Sequence, residues 1–125
     1  MPQSANSPRV VLVVDDEALL RLDATEALHG AGCATFEACH TEEALEVLSR
    51  HPEISVLFTD INMPGDRDGM ALADEVHRRR PDVRLIITSG RERPAQADIP
   101  DDGQFIPKPY DADAVAEIVR AMPTR

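Results

Sequence analysis

Acidic side chains follow two strand-like segments of the sequence. Three acids, Asp15–Glu17, come directly after the aliphatic run Val10–Val14, and Asp60 follows a second apolar run, Ser55–Thr59. Carboxylates that lie close together repel each other, and the repulsion grows where water is excluded. A hard divalent cation such as Mg²⁺ relieves this repulsion, because it prefers oxygen ligands. If the fold brings these acids together, we therefore expect a Mg²⁺ site.

Two further polar groups follow later apolar runs. Ser89 comes after Arg84–Thr88, and Lys108 comes shortly after Gln104–Ile106. The serine hydroxyl can donate a hydrogen bond to an anionic oxygen, and the lysine ammonium supplies a positive charge. Phosphoryl transfer needs little beyond positioning and charge neutralisation, so these groups suit it. Pro109 restricts the backbone after Lys108, and a Lys-Pro bond can be cis.

Each of these residues also has an ordinary structural explanation. Asp15 or Asp16 could cap a helix, Asp60 could form a turn, and Lys108 could be a solvated surface residue. What favours a site is the coincidence of positions, because the polar groups all follow the carboxyl ends of predicted strands.

Strand-like and helix-like segments alternate along the whole chain. The apolar runs are typical of parallel strands that are buried on both faces by helices. The predicted strands are Val10–Val14, Ala34–Glu37, Ser55–Thr59, Arg84–Thr88 and Gln104–Ile106. The predicted helices run from about Glu17 to Gly30, from an N-cap at Thr41, from about Gly69 to Arg79, and from an N-cap at Asp111. Pro94 and Pro100 predict a reduced or irregular helix between the fourth and fifth strands.

This order of elements predicts an α/β fold with a five-stranded parallel, doubly wound sheet of strand order 2-1-3-4-5. Ligands of such sheets bind at the carboxyl ends of the strands, where the strand order reverses. That point lies between the first and third strands, which the acids follow. We expect one domain over residues 9–122, a disordered tail over residues 1–8, and no output domain.

Composition excludes several classes of function. The 125 residues carry a formal net charge of -10, which argues against direct binding of nucleic acid. The basic run Arg78–Arg80 is explained by a favourable interaction with the end of a helix. No apolar run is long enough for a membrane span, and no secretory signal is present. Cys33 and Cys39 lack metal-site spacing, so we expect free thiols and a cytoplasmic location.

Five short motifs occur in order at the strand ends. They are Asp15-Asp16-Glu17 after Val-Leu-Val-Val, Thr59-Asp60-Ile61-Asn62-Met63-Pro64, Asp68-Gly69, Thr88-Ser89-Gly90 and Lys108-Pro109-Tyr110. With these motifs the chain resembles the receiver domain of bacterial response regulators, of the chemotaxis-regulator type. The resemblance covers about Arg9 to Met122. It implies a flavodoxin-like receiver fold that serves a two-component phosphorelay.

The resemblance also implies a role for each site residue. Asp60 would be the phosphoacceptor, whose carboxylate attacks a phosphohistidine of a partner protein. Asp15, Asp16 and Asp60 would bind Mg²⁺, Asp16 more directly than Asp15, and the backbone carbonyl of Asn62 would be a further ligand. Lys108 would neutralise the acyl phosphate.

Two residues would carry the conformational switch of the family. Ser89 would move inward to hydrogen-bond the phosphoryl group, and Phe105 matches the aromatic residue that rotates with it. Thr88 is the other candidate hydroxyl, although a side chain at that position in a buried strand is expected to face the core. Phe105 is equally well explained as an ordinary core residue. The side chains at Asn62 and Arg91 would influence phosphoryl lifetime.

The implied partners are a sensor histidine kinase or a histidine phosphotransfer protein, with a downstream protein or a second copy as a further partner. The implied module is no enzyme beyond its own phosphorylation and dephosphorylation. A hydrolase of the haloacid dehalogenase type would need Asp-x-Asp after the first strand, and this chain has Asp15-Asp16 there. An FMN binder would need a hydroxyl- and glycine-rich loop at that place. A degenerate receiver that acts through protein contacts without phosphorylation remains the alternative.

Overall fold

The computed structural model describes residues 8–65, 67–91, 93–100 and 103–123. Strands and helices alternate along them, as the sequence predicts. The elements are β1 (Val10–Val14), α1 (Ala18–Gly30), β2 (Ala34–Ala38), α2 (Thr41–Arg50), β3 (Val56–Asp60), α3 (Gly69–Arg79), β4 (Arg84–Ser89), β5 (Gln104–Pro107) and α4 (Ala112–Ala121). Among these helices, none is both long and apolar enough to cross a membrane.

The strands form one parallel sheet in the order β2-β1-β3-β4-β5, which confirms the predicted topology. Its register aligns Val14 of β1 with Thr59 of β3, and Asp60 with Thr88 of β4. Because β1 and β3 are neighbours and run in the same direction, the residues that follow them meet at one edge of the sheet.

Helices cover both faces of the sheet, because successive strand residues point to opposite sides. One face packs against α2 and α3, whose buried hydrophobic residues are Ala44, Leu48, Leu72, Ala73 and Val76. The other face packs against α1 and α4, whose buried hydrophobic residues are Ala24, Leu28, Val115, Ala116 and Val119. The two cores hold the sheet rigidly between them and leave its carboxyl edge for polar groups.

The connection between β4 and β5 has little regular structure. In its described part, residues 90–91, 93–100 and 103, the helical content is one 3-10 turn, Gln96–Asp98. Ile99 is buried in the core beneath it, and the Gln96 side chain donates a hydrogen bond to the Gly103 carbonyl at 2.9 Å. The reduced helix predicted from Pro94 and Pro100 is therefore confirmed.

One predicted helix cap is wrong and one is confirmed. His40 caps α2, because its Nδ1 accepts a hydrogen bond from the backbone N–H of Glu43 at 3.2 Å. Thr41 is instead the first helical residue, and its buried hydroxyl donates to the Arg67 carbonyl at 2.9 Å. Asp111 caps α4 as predicted. Of the predicted disordered tail, residues 1–7 lie outside the described residues.

Gly69 lets the start of α3 pack directly on the end of β3. Its backbone N–H donates to the Ile61 carbonyl at 2.9 Å. A Cβ atom added to Gly69 would lie 2.0 Å from the carbonyl oxygen of Asp60, which is far inside van der Waals contact. A side chain at this position would therefore push α3 away from the strand that carries Asp60.

We predict that Gly69→Ala lowers the free energy of unfolding by about 2 kcal/mol, because the neighbouring atoms belong to the backbone and cannot move aside cheaply. Urea denaturation measures the change. Gly30→Ala is the matched control, since an added Cβ at this last residue of α1 meets nothing within 4 Å. Equal stability of the two variants would contradict the predicted clash.

Candidate functional site

Four acidic side chains meet at the carboxyl edge of the sheet. Asp15 directly follows β1 and Asp60 is the last residue of β3, and they are only 3% and 2% exposed. Asp16 and Glu17 lie beside them with their side chains exposed. One carboxylate oxygen of each residue lies within 4.8 Å of those of the other three. The structure thus brings together the acids that the sequence singles out.

Lys108 reaches these acids from the end of β5. Its Nζ lies 2.9 Å from Oδ2 of Asp60, 3.4 Å from Oδ2 of Asp15 and 3.7 Å from Oε2 of Glu17. The lysine backbone is anchored to the neighbouring strand, because its N–H donates to the Ser89 carbonyl at 3.0 Å. The peptide bond to Pro109 is cis, as the sequence allows, and Pro109 itself is exposed. Lys108 therefore offers one positive charge to several carboxylates.

Backbone N–H groups orient the two buried carboxylates. Oδ1 of Asp15 accepts a hydrogen bond from the N–H of Glu17 at 2.9 Å, and Oδ1 of Asp60 accepts one from the N–H of Asn62 at 3.1 Å. Arg21 also donates to the backbone carbonyl of Asp15 at 2.7 Å. With Oδ1 engaged in this way, Oδ2 of each carboxylate faces Lys108.

Burial and charge shift the pKa values at the site. Burial raises the pKa of Asp15, and the charge of Asp60 adds to the rise, while the Glu17 N–H and Lys108 oppose it. Burial by itself would lower the pKa of Lys108, but its hydrogen bond to Asp60 and the surrounding negative charges raise it overall. The lysine thus stays protonated, whereas the ionised form of Asp15 is disfavoured in the folded state.

The two candidate hydroxyls point in different directions. Ser89 is fully buried, and its hydroxyl donates to Oδ1 of Asn62 at 2.9 Å and accepts the N–H of Arg91 at 3.1 Å. The Thr88 hydroxyl is also buried, and it has no hydrogen-bond partner within the described part of the chain. Because residues alternate along β4, Thr88 faces the core that includes Phe58, and Ser89 does not.

Phe105 lies outside the cleft. It is half-buried against the core under α2 and α3, and the Arg93 guanidinium stacks over its ring at 5.8 Å from the centroid. Arg91, by contrast, lines the cleft with Asn62 and Lys108. Of the predicted site residues, Asp16, Asp60, Asn62, Arg91 and Lys108 line the cleft. Asp15, Thr88 and Ser89 are buried beneath its surface, and Phe105 and Pro109 do not line it.

Contacts of two residues at the site were not predicted. Glu17 belongs to the acidic run, but its approach to Lys108 depends on the turn that begins α1. Tyr110 packs edge-on against Phe58, with ring centroids 5.4 Å apart, and burial together with the charge of Asp15 raises its pKa to about 12. The only sequence feature that could have placed Tyr110 near the site is its position directly after Lys108-Pro109.

The donor set fits a hard divalent cation. The cluster holds four carboxylates beside one ammonium. Each potential metal ligand in it is a carboxylate oxygen, the type of ligand that Mg²⁺ prefers. The cleft above them has a volume of about 460 Å³ and is lined by Asp16, Asp60, Asn62 and Lys108, among others. It has room for a metal with water ligands and for a small anionic group.

The raised pKa of Asp15 predicts how stability depends on pH. A carboxyl whose pKa rises on folding favours the folded state while protonated, and this contribution is lost as the pH rises through its folded pKa. We expect Asp15→Asn to raise the free energy of unfolding at neutral pH without divalent metal. The gain should vanish below the ordinary carboxyl pKa of 3.8.

Urea denaturation in EDTA, from neutral pH to below pH 3.8, tests the expectation. Asp23→Asn is the control, because the Asp23 side chain is exposed. A loss of stability in Asp15→Asn at neutral pH would mean that the attraction to Lys108 outweighs burial and repulsion.

Comparison with known proteins agrees with this geometry. The family model of the response regulator receiver domain matches residues 11–120. The transcriptional regulator NtrC of Escherichia coli K12 is 42% identical over 120 residues, which cover 90% of this chain and 24% of NtrC. The sensor kinase CckA of Brucella abortus is 34% identical over 116 residues, which cover 90% of this chain and 12% of CckA. The chain thus spans about a quarter or less of these relatives.

A solved structure shows the same fold. The crystal structure of the CheX–CheY–BeF3–Mg complex of Borrelia burgdorferi matches with a TM-score of 0.82 at 27% identity, and covers 95% of this chain and 92% of that chain. The predicted resemblance and fold class are both confirmed. The chain belongs to the response regulator receiver domain family of two-component signalling systems.

Proposed function

We propose that this chain accepts a phosphoryl group on Asp60 from a phosphohistidine, in a reaction that depends on Mg²⁺, and that phosphorylation switches a protein-interaction surface. The observation that carries the proposal is the position of Asp60. Its carboxylate is buried at the base of an open cleft, is held by the Asn62 N–H, and lies 2.9 Å from the only side-chain cation within 4 Å of it among the described residues, Lys108.

The chemistry follows from this arrangement. A carboxylate oxygen of Asp60 attacks phosphorus, a P–O bond forms, and the P–N bond to the donor imidazole breaks with its electron pair left on nitrogen. Lys108 neutralises the acyl phosphate, and its raised pKa keeps it charged. Asp15, Asp16, Asp60 and the Asn62 carbonyl would hold Mg²⁺, which when bound offsets the charge of the phosphoryl oxygens. Positioning and charge together account for the reaction.

The switch is part of the same proposal. Ser89 is the last residue of β4 and bonds to Asn62, which lines the cleft. It would donate a hydrogen bond to the phosphoryl group, whereas Thr88 faces the core. Phe105 lies one strand away and would rotate as Ser89 moves. Arg91, which lines the cleft, would influence the phosphoryl lifetime together with Asn62. The negative charge added by the phosphoryl group would thereby shift the equilibrium between the two positions of the switch residues Ser89 and Phe105.

The proposed phosphodonor is a sensor histidine kinase or a histidine phosphotransfer protein. The phosphorylated form would act on a downstream protein or form a homodimer. We place this exchange in the cytoplasm, which suits the free thiols of Cys33 and Cys39.

Asp60→Asn should abolish phosphorylation and keep the fold. We expect the intact mass of the wild-type protein to increase by one phosphoryl group after incubation with acetyl phosphate and Mg²⁺, and to remain unchanged for Asp60→Asn or in EDTA. Asp74→Asn, an exposed acid on α3, is the matched control and should be modified like the wild type. Modification of Asp60→Asn would refute the assignment of the phosphoacceptor. A wild-type protein that is never modified would indicate a degenerate receiver.

Mg²⁺ should raise the melting temperature, because it binds the folded state and relieves repulsion between the acids. At a concentration of about ten times the dissociation constant, the stabilisation would be about 1.4 kcal/mol, or a shift of a few degrees. Differential scanning calorimetry with and without millimolar Mg²⁺ measures it. The shift should disappear in Asp16→Asn and persist in Asp23→Asn. No shift in the wild type would count against a metal site.

A further inference from the structure

We propose that Asn62 is a positioning residue that holds the Ser89 hydroxyl in the unphosphorylated protein. Its side-chain amide competes with the phosphoryl group for the same hydroxyl proton. The strength of this contact would then set how readily the protein adopts its switched state. The inference rests on the proposed function, and it adds to Asn62 a role for its side chain beside that of its backbone.

Asn62 contacts both groups that must come together in the switched state. Its backbone N–H donates to Oδ1 of Asp60 at 3.1 Å, and its side-chain Oδ1 accepts the Ser89 hydroxyl at 2.9 Å. The N–H of Arg91 approaches the same hydroxyl oxygen at 3.1 Å as a donor, so it does not compete with Asn62 for the hydroxyl proton. One residue thus links the phosphoacceptor to the switch hydroxyl.

Burial makes this contact costly to lose without a replacement. Ser89 is 0% exposed, and a buried hydroxyl that loses its acceptor is not compensated by bulk water. A phosphoryl group on Asp60 would provide such a replacement, because a charged acceptor forms a stronger hydrogen bond than a neutral amide. The phosphoryl group would therefore draw the hydroxyl away from Asn62.

Competition has a measurable consequence. A hydroxyl donates one proton, so its bond to the phosphoryl group forms at the expense of its bond to Asn62. Without the Asn62 side chain, binding of a phosphoryl mimic no longer breaks the hydrogen bond between Ser89 and Asn62. We expect the affinity for that mimic to rise about threefold to tenfold, as the net strength of one hydrogen bond implies.

The experiment measures the affinity for beryllofluoride in the presence of Mg²⁺ by fluorine NMR. The four proteins are the wild type, Asn62→Ala, Ser89→Ala and the double variant, which form a double-mutant cycle. Asn62→Ala should bind more tightly than the wild type, and Ser89→Ala more weakly. In the Ser89→Ala background, Asn62→Ala should have no effect, because no hydroxyl remains to be held.

Two results would overturn the inference while leaving the proposed function intact. One is unchanged or weaker binding by Asn62→Ala when the wild type binds. The other is an equal gain in beryllofluoride affinity from Asn62→Ala in the Ser89→Ala background. That result would mean that Asn62→Ala acts by opening the cleft or changing its electrostatics, and not by releasing the Ser89 hydroxyl. No binding by the wild type would overturn the proposed function together with the inference. If urea denaturation shows that Asn62→Ala does not fold, Asn62→Leu keeps the approximate size of the side chain and removes the same acceptor, and the same expectations apply.

Discussion

Repulsion between Asp15 and Asp60 is the constraint around which the carboxyl edge of the sheet is organised. Both side chains are almost fully buried, where like charges interact strongly, and Lys108 lies between 2.9 and 3.4 Å from both. The lysine reaches them from β5, two strands away from β3, so the charge balance of the site requires β4 and β5 to be in place. Assembly of the site therefore depends on a strand at the edge of the sheet. One ammonium does not balance four carboxylates, and the remaining negative charge would favour binding of a divalent cation.

Much of the fold and of the site could be predicted because both depend on local pattern. Apolar runs identify the strands, and the rule that parallel strands end at a common edge brings Asp15, Asp60 and Lys108 together. The side-chain contact of Asn62 with Ser89 was missed because it joins the loop after β3 to the end of β4, 27 residues apart, and depends on rotamers that no pattern encodes. The N-cap of α2 was misplaced by one residue for a related reason. His40 and Thr41 are both capable of polar contacts, and the distant Arg67 carbonyl takes the threonine hydroxyl.

The loop after β3 illustrates how the site is supported from outside its own residues. Asp68 caps α3 by accepting the N–H of Ala71 at 3.0 Å, and Gly69 allows the helix to touch the Asp60 carbonyl. Arg67 pairs with Glu42 of α2 at 3.2 Å, so the loop is tied to the neighbouring helix as well. These contacts fix the backbone that presents the Asp60 carboxylate and the Asn62 N–H, although none of them touches a reacting atom. The precise position of Asp60, the proposed phosphoacceptor, thus depends on the packing beneath it.

The connection from β4 to β5 has a mechanical consequence. In its described part it is held by the buried Ile99, by one Gln96 hydrogen bond and by the Arg93–Phe105 stack. A full α-helix would resist deformation through its repeated backbone hydrogen bonds and its packed apolar face. The described part of this connection has few such contacts, so we expect it to deform more easily. Under the proposed switch, a displacement of Ser89 would meet little elastic resistance in this part of the chain. It would be accommodated by rearrangement of the connection that leads into β5 and Phe105, and not by movement of a rigid helix.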